Sequence, residues 1–410
     1  MRGRVTVGLV TLACAASLVL VPATAGAADG GRRAAPEHEH RRARAFPAAV
    51  ASELAGAVAL AHSRYDIPGI AVTVDEPGVG TFTSTTGLRT IQPPQPVNPA
   101  THFRIGSVTK TFTATVILQL VQEHRLHLDE DVDRWEPRLP YAEQITIRDL
   151  LDMHSGIFDE GGPGSTLSKL SAADPARAWT PQQIVDLAIA DGSQPPGTWS
   201  YSDTNYQLLA LIAQEVTGRP FEDLVEDRIL RPLHLTHTSF PTTSLSMPQP
   251  AATPYQIALP AGHVAVATTV NPSVLGGAGA MISTLPDLAR WAHALGSGEL
   301  LSPSMQKVRE QLLATDVEFP ALPGFGKTPT VAVGYGLGLE GAYGYFGHNG
   351  IVNGFTTDLF YNPSTRTAIV VMFDGEPFEV TGTGKNQQVQ YLPIADALFL
   401  SLAEIVAGNA

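Results

Sequence analysis

Apolar residues recur along the 410-residue chain with two different periods, and the changes between them lay out the elements. Leu54, Val58 and Ala61 share one face between Val50 and Arg64, which predicts an amphipathic helix. Gly69–Val74 and Gly80–Thr86 predict two strands joined by a turn at Pro77 and Gly78. Phe112, Val116 and Leu120 fall at i, i+4 and i+8 with Ile117 and Val121 beside them, so a mostly buried helix starts near Ser107. The middle of the chain is helical in pattern. A helix starts behind Thr146 and ends with Gly156, and others cover Pro181–Ala190, Asn205–Val216, Phe221–Leu230 and Leu285–Leu295. Residues 159–180 and the Pro-rich residues 241–272 read as long surface loops. Gly334–Leu339, Tyr343–Phe346, Phe355–Tyr361 and Thr367–Phe373 predict a run of strands, closed by a helix over Leu392–Val406. This order predicts an α+β fold. An antiparallel sheet is built from both chain ends and flanked by their helices, an all-helical subdomain lies beside it, and the site sits in the crevice between them.

Four features outside this pattern bear on function. Residues 1–27 have a charged start at Arg2 and Arg4, an apolar run from Val7 to Leu20 and a small-residue end at Ala25-Gly26-Ala27, which reads as a secretory signal cleaved near Ala27. The run is short for a membrane span, so no stable anchor is expected after cleavage and the product is secreted or extracytoplasmic. Residues 28–46 read as a flexible linker in which Glu37-His38-Glu39-His40 is a solvated tract. The catalytic domain is expected over 47–406, with 407–410 as a tail. Cys14, the only cysteine, lies in the signal, which excludes disulfide, thiol and cysteine–metal chemistry from the mature chain. The net charge is −13, and loss of Arg2 and Arg4 makes it more negative by two. That balance argues against nucleic acid and anionic membranes as partners.

The chemistry is carried by short motifs. Ser107-Val108-Thr109-Lys110 opens the buried helix, so Ser107 and Lys110 share a face one turn apart. Alone, that spacing favours a capping serine followed by a surface lysine. Its setting changes the reading: a lysine desolvated on a buried helix can take the proton of a serine hydroxyl at the positive end of that helix. Ser304-Met305-Gln306-Lys307 has the same spacing but follows Ser302-Pro303 among charged neighbours, the pattern of a capped surface helix. The other lysines are only Lys169, Lys327 and Lys385. Tyr201-Ser202-Asp203 offers a tyrosine that shuttles protons if a nearby cation lowers its pKa. Its Asp203 can hold the Lys110 ammonium or a substrate amide, or merely cap the helix beginning near Asn205. His348-Asn349-Gly350-Ile351 offers an imidazole near the tyrosine and a flat Gly350 where substrate backbone approaches. The Ile351 N–H can pair with that of Ser107 as an oxyanion hole. Taken alone, His348 also fits an ordinary turn histidine. Lys327-Thr328-Pro329 is a rival basic element that its proline disfavours as a strand. Gly-x-Ser-x-Gly, His-Glu-x-x-His and phosphate-binding glycine loops are absent.

Together these motifs resemble those of the serine β-lactamase and penicillin-binding protein superfamily. The nearest branch is that of the class C β-lactamases, with their secreted D-alanyl-D-alanine carboxypeptidase and esterase relatives. Ser107-Val108-Thr109-Lys110 is similar to the first motif. Tyr201-Ser202-Asp203 stands where Tyr-x-Asn is usual, and His348-Asn349-Gly350 where Lys-Thr-Gly or His-Thr-Gly is usual. The resemblance covers roughly residues 48 to 406 and includes Leu230-Arg231-Pro232-Leu233 and Gly276-Gly277-Ala278-Gly279. It implies a β-lactamase/transpeptidase-like fold. It also implies Ser107 as nucleophile, Lys110 as base, Tyr201 as proton relay and His348 as its orienting partner. Ser107 and Ile351 supply the oxyanion hole, Asp203, Asn349 and Gly350 contact substrate, and no cofactor or metal is implied. The reaction expected first is D-alanyl-D-alanine carboxypeptidase-like, on a small peptide. Ester hydrolysis and β-lactam hydrolysis are alternatives on the same fold, and a non-catalytic wall-binding module is the reading from another class. Asp203 in place of an amide would keep Lys110 charged. A neutral histidine in place of lysine, with no arginine obvious near the third motif, leaves the anchoring of a substrate carboxylate unassigned.

Overall fold

The computed structural model describes residues 44–260, 262–319, 331–381 and 388–408. The stretch read as a secretory signal, most of that read as a linker and Lys327-Thr328-Pro329 lie outside the described residues. Within the stretch read as linker, Phe46 is buried in the core and Ala45 bridges to Thr81, so the folded part includes the linker's last residues.

The first part of the chain runs α1 (Ala48–Arg64), β1 (Gly69–Glu76), β2 (Gly80–Thr90), β3 (Gln95–Pro96), β4 (His102–Arg104) and α2 (Thr109–Gln122). The middle adds α3 (Ile147–Leu151), α4 (Thr166–Ala173), α5 (Pro181–Asp191), α6 (Asp203–Thr217), α7 (Phe221–Val225), β5 (Tyr255–Leu259), β6 (His263–Val266), α8 (Gly276–Gly279), β7 (Ile282–Thr284), α9 (Leu285–Ser297) and α10 (Pro303–Arg309). The last part is β8 (Leu313–Phe319), β9 (Val331–Tyr335), β10 (Glu340–Ala342), β11 (Tyr345–Val352), β12 (Phe355–Asn362), β13 (Thr367–Phe373), β14 (Gly375–Thr381), β15 (Gln388–Tyr391) and α11 (Ile394–Ala407).

The main sheet has nine strands in the order β3-β2-β1-β13-β12-β11-β10-β9-β8, with neighbours antiparallel. Strands from the two chain ends meet at β1 and β13, where Val72 stands opposite Val371. Period-2 alternation separates the faces. Ile70, Val72, Val74, Ile369, Val371 and Phe373 pack against α1 and α11, whereas Ala71, Val370 and Met372 join the core shared with α2, α6 and α9. The predicted α+β layout is therefore the one adopted.

Local departures have local causes. Residues 159–180 contain α4, nucleated by Ser165, whose hydroxyl accepts from Ser168 N–H. Residues 241–272 contain β5 and β6, which pair with each other, and β5 also pairs in parallel with β14. The helix behind Thr146 has its reciprocal cap with Asp149 but stops at Leu151, before the left-handed Met153. The strand expected over Gly334–Leu339 ends at Tyr335, and the chain then turns through Gly338, whose φ is +74°. Tyr343 and Gly344 form a turn, and β11 runs on through the third motif.

Phe399 of α11 stacks on Phe360 of β12 with ring centroids 4.4 Å apart and meets Tyr345 of β11 edge-on at 5.4 Å. Both strands lie next to the site, so this contact braces it from behind. Phe399→Ala is expected to cost about 3–5 kcal/mol in denaturant unfolding. A loss below about 1 kcal/mol would show that the back layer does not brace the sheet there.

Candidate active site

β4 leads through Ile105 into a single tight turn, Gly106–Val108, from which α2 continues. Gly106 has φ +49°, and a Cβ there would lie 2.9 Å from the Ile351 nitrogen, so glycine is required on both counts. Ser107 Oγ accepts hydrogen bonds from the Tyr201 hydroxyl at 2.7 Å and from Lys110 Nζ at 3.0 Å. Lys110 is fully buried, as its helix pattern predicts. Besides Ser107, its ammonium donates to Asp203 Oδ1 at 2.5 Å and to the Ala278 carbonyl at 2.9 Å, which satisfies all three of its protons. The nitrogen also stands 4.8 Å over the Tyr201 ring.

Tyr201 is held by the loop before α6. Ser200 N–H donates to the Met153 carbonyl at 2.8 Å, and the Asn205 side chain bonds Ser155 Oγ and the Leu150 carbonyl. Burial, reinforced by the negative charge of Asp203, raises the Tyr201 hydroxyl well above its ordinary pKa. Desolvation and the Asp203 charge together outweigh any lowering by the nearby Lys110. Tyr201 is thus a protonated hydrogen-bond donor at rest. Asp203 does not cap a helix beginning at Asn205. It is itself the first residue of α6, its carboxylate is on Lys110, and its N–H donates to Asp159 Oδ1 at 2.9 Å. Asp159 is pushed up to about 6 by burial and by Asp203.

The third motif lies on β11, beside the Ser107 turn. His348 and Asn349 point to opposite faces, as adjacent strand residues must. His348 is fully buried, with its ring centroid 6.3 Å from that of Tyr201. Its Nδ1 donates to the Asn349 carbonyl at 2.6 Å and its Nε2 accepts from Tyr335 OH at 3.1 Å. Burial and the Lys110 charge press its pKa down to about 3, so the ring is neutral. Asn349 and Gly350, expected to contact substrate, each have a role within the protein. The Asn349 amide faces α11 and donates to Asp396 Oδ1 at 3.0 Å. Gly350 is flat for the protein's own sake: a Cβ there would lie 2.2 Å from the Ile105 carbonyl and 2.9 Å from Ser107 N. That close approach sets the Ile351 and Ser107 backbones side by side.

Sequence reasoning missed Tyr335, Asp159 and the Ala278 carbonyl. It also missed Arg104, which lies three residues before the nucleophile. Only the Gly276–Gly279 run signalled Ala278: a Cβ at Gly277 would sit 2.5 Å from the Tyr206 carbonyl, so small residues let α8 press on α6 and aim that carbonyl at Lys110. Glu340 Oε2 accepts from Asn349 N–H, and burial lifts Glu340 to about 8. Among the described residues no cluster of His, Asp or Glu is arranged to hold a metal ion, and no helix is long and apolar enough to cross a membrane.

A buried lysine ion-paired and hydrogen-bonded to a serine, with a tyrosine on the same oxygen, is an arrangement for acyl transfer. A family model described as Beta-lactamase matches residues 41–392. The chain belongs to the β-lactamase family. PbpX of Bacillus subtilis, named as a penicillin-binding protein, is 31% identical over 303 residues, covering 72% of this chain and 68% of that one. A D-stereospecific amidohydrolase from Streptomyces sp. is 31% identical, covers 80% of this chain and 94% of its own, and superposes with a TM-score of 0.66. The D-amino acid amidase of Ochrobactrum anthropi SV3 is 26% identical in its L-phenylalanine amide complex, covers 88% and 98% respectively, and superposes with a TM-score of 0.70. The α+β fold is that of the serine hydrolases of the β-lactamase and penicillin-binding protein type.

The neutral state of His348 is directly measurable. Nitrogen chemical shifts of its ring should show one Nδ1–H tautomer with no titration between pH 8 and pH 5. A midpoint near 6.5 would mean that the imidazole is not desolvated against Tyr335 and Lys110.

Proposed function

We propose that this family member is an exported acyl-enzyme hydrolase of amides whose acyl donor is a D-amino acid and whose leaving group is uncharged. The observation that carries the reading is His348. The third motif presents a buried neutral imidazole whose Nε2 is already taken by Tyr335, in place of a cation. A carboxypeptidase releasing a free D-amino acid must hold a carboxylate at that end of the cleft. An amidase or ester hydrolase has no such need. The D-configuration is supported by the Streptomyces and Ochrobactrum enzymes, each covered over nearly its full length. Export is supported by the charged, apolar and small-residue pattern of residues 1–27.

In the reaction proposed, Lys110 first passes a proton to Asp203 across their 2.5 Å contact, and the neutral amine takes the proton of Ser107 as Oγ attacks the carbonyl carbon. The oxyanion is held by the N–H groups of Ser107 and Ile351. As the C–N bond breaks, Tyr201 gives its hydroxyl proton to the departing nitrogen and is reprotonated by Lys110. Water then attacks the acyl-Ser107 carbonyl, losing its proton to the Lys110–Tyr201 pair. Ser107 leaves as the acid product forms. Lys110 rests as an ion pair with Asp203, so Asp203 holds that proton during turnover and returns it once Ser107 is free again.

D-alanyl-D-alanine carboxypeptidase activity is the second reading, favoured by the similarity to PbpX. The two separate by substrate. Wild type should release ammonia from D-alaninamide or D-phenylalaninamide, with little turnover of the L-forms and no D-alanine release from a D-alanyl-D-alanine peptide. Mass spectrometry should find acyl-Ser107. Ser107→Ala should abolish turnover, and Tyr201→Phe should lower kcat by about 10²–10⁴-fold. D-alanine release, with a stable benzylpenicillin adduct on Ser107, would decide for the carboxypeptidase instead.

A further inference from the structure

Beside the nucleophile lies a cavity of about 680 Å³, walled by the two stretches read from sequence as long loops together with the ends of β4 and β11. Its lining touches the reactive cluster on four sides. Val352 follows Ile351, Gly279 follows Ala278, Gly161 packs on the Asp203 carboxylate, and Arg104 precedes the Ser107 turn.

Arg104 is 7% exposed. Such burial of a guanidinium is costly unless an anion compensates it. Among the described residues, its one hydrogen bond is from Nη2 to the Leu245 carbonyl at 3.3 Å, and no carboxylate pairs with it. Burial alone acts on its pKa, lowering it to about 10. Arg309 makes the contrast: it is as buried, but its guanidinium bonds Thr115 Oγ1 and the Thr111 carbonyl, both at 2.9 Å, and serves the core. A second arginine, Arg89, also lines the cavity, bonded to the Ala251 carbonyl and the Gln95 amide oxygen and to no acid. The acid facing them is Glu160, which burial raises to about 7, so much of its charge is absent at neutral pH. The cavity is therefore positively biased within a chain of net charge −13.

The polarity of β11 says which part of a substrate reaches it. Tyr201, the donor to the leaving group, stands against His348, on the N-terminal side of Ile351. The acyl part must then extend the other way, past Val352 and Asn353, which line the cavity. We infer that this cavity is an acyl-side subsite in which Arg104, supported by Arg89, binds a carboxylate carried by the acyl donor beyond the scissile carbonyl. The inference rests on the amidase reading and narrows it: the preferred substrate is an acidic acyl-D-amino acid amide or peptide rather than a free D-amino acid amide.

The test compares the p-nitroanilides of N-succinyl-D-alanine and N-acetyl-D-alanine, which share scissile bond and leaving group and differ by one acyl-side carboxylate. Wild type should favour the succinyl substrate in kcat/KM by about tenfold or more, and the preference should shrink as salt is added. Arg104→Gln should bring the ratio close to one, and Arg104→Lys should give an intermediate ratio. Equal rates in wild type, or a ratio unchanged in Arg104→Gln, would overturn the subsite. Calorimetric binding of N-succinyl-D-alanine and N-acetyl-D-alanine to wild type gives a readout that needs neither variant folding nor turnover. Tighter binding of the succinyl compound supports the subsite, while equal or absent binding overturns it. Failure of the amidase reading shows separately, as no release of nitroaniline from either anilide.

Discussion

The site depends on keeping one ammonium inside the protein. Lys110 is completely buried, and an isolated charge there would be prohibitive. Its cost is met by three acceptors from three segments: Ser107 on its own turn, Asp203 at the start of α6 and the Ala278 carbonyl of α8. Each acceptor is in turn fixed by something remote. Asp203 is held by its helix start and by Asp159, and Ala278 by the glycine contact between α8 and α6. Loss of any one would leave a buried donor unpaired. The packing of the helical subdomain and the chemistry of the nucleophile are therefore one constraint.

A second constraint is steric. The strand that carries His348 and Ile351 can lie against the Ser107 turn only because Gly106 and Gly350 have no side chains where the two backbones meet. The sheet behind that strand is held by Phe360 and Phe399, and α2 in front of it by the Phe112–Trp291 stack, with ring centroids 4.1 Å apart. Trp291 Nε1 donates to Thr111 Oγ1, and Thr113 Oγ1 donates to the Gly277 carbonyl, so these buried threonines of α2 have their hydroxyls satisfied within the core. A helix with this many buried threonines thus serves as a polar spine on which Lys110 is mounted.

Much of this is legible in the sequence because it is periodic or local. The burial of Lys110 follows from Phe112, Val116 and Leu120. The surface character of the second Ser-x-x-Lys follows from Ser302-Pro303, and Ser302 Oγ does accept from Met305 N–H at the start of α10. What is not legible is tertiary. The side-chain direction of Asn349 depends on which face of β11 meets α11. The need for glycine at 350 depends on a strand meeting a turn more than two hundred residues away. The helix within residues 159–180 and the strands within 241–272 are too short, and too mixed in composition, for their periodicity to stand out. The direction of the Tyr201 shift reverses because desolvation and Asp203 together exceed the lysine beside it.

The distribution of charge along β11 is the feature that separates this chain from a generic acyl-transfer site. At the leaving-group end the imidazole is neutral, and the neighbouring carboxyl, Glu340, is raised to about 8, so that end carries little charge at neutral pH. At the opposite end Arg104 and Arg89 line a cavity and, among the described residues, pair with no acid. On the proposed reading, a substrate whose only carboxylate sits on the leaving group would place it against the neutral His348 imidazole. One whose carboxylate sits on the acyl side would place it against a buried guanidinium that already bears the cost of desolvation. On that reading, specificity arises from where burial has been left uncompensated in the free enzyme, because the ligand favoured is the one that supplies the missing counter-charge.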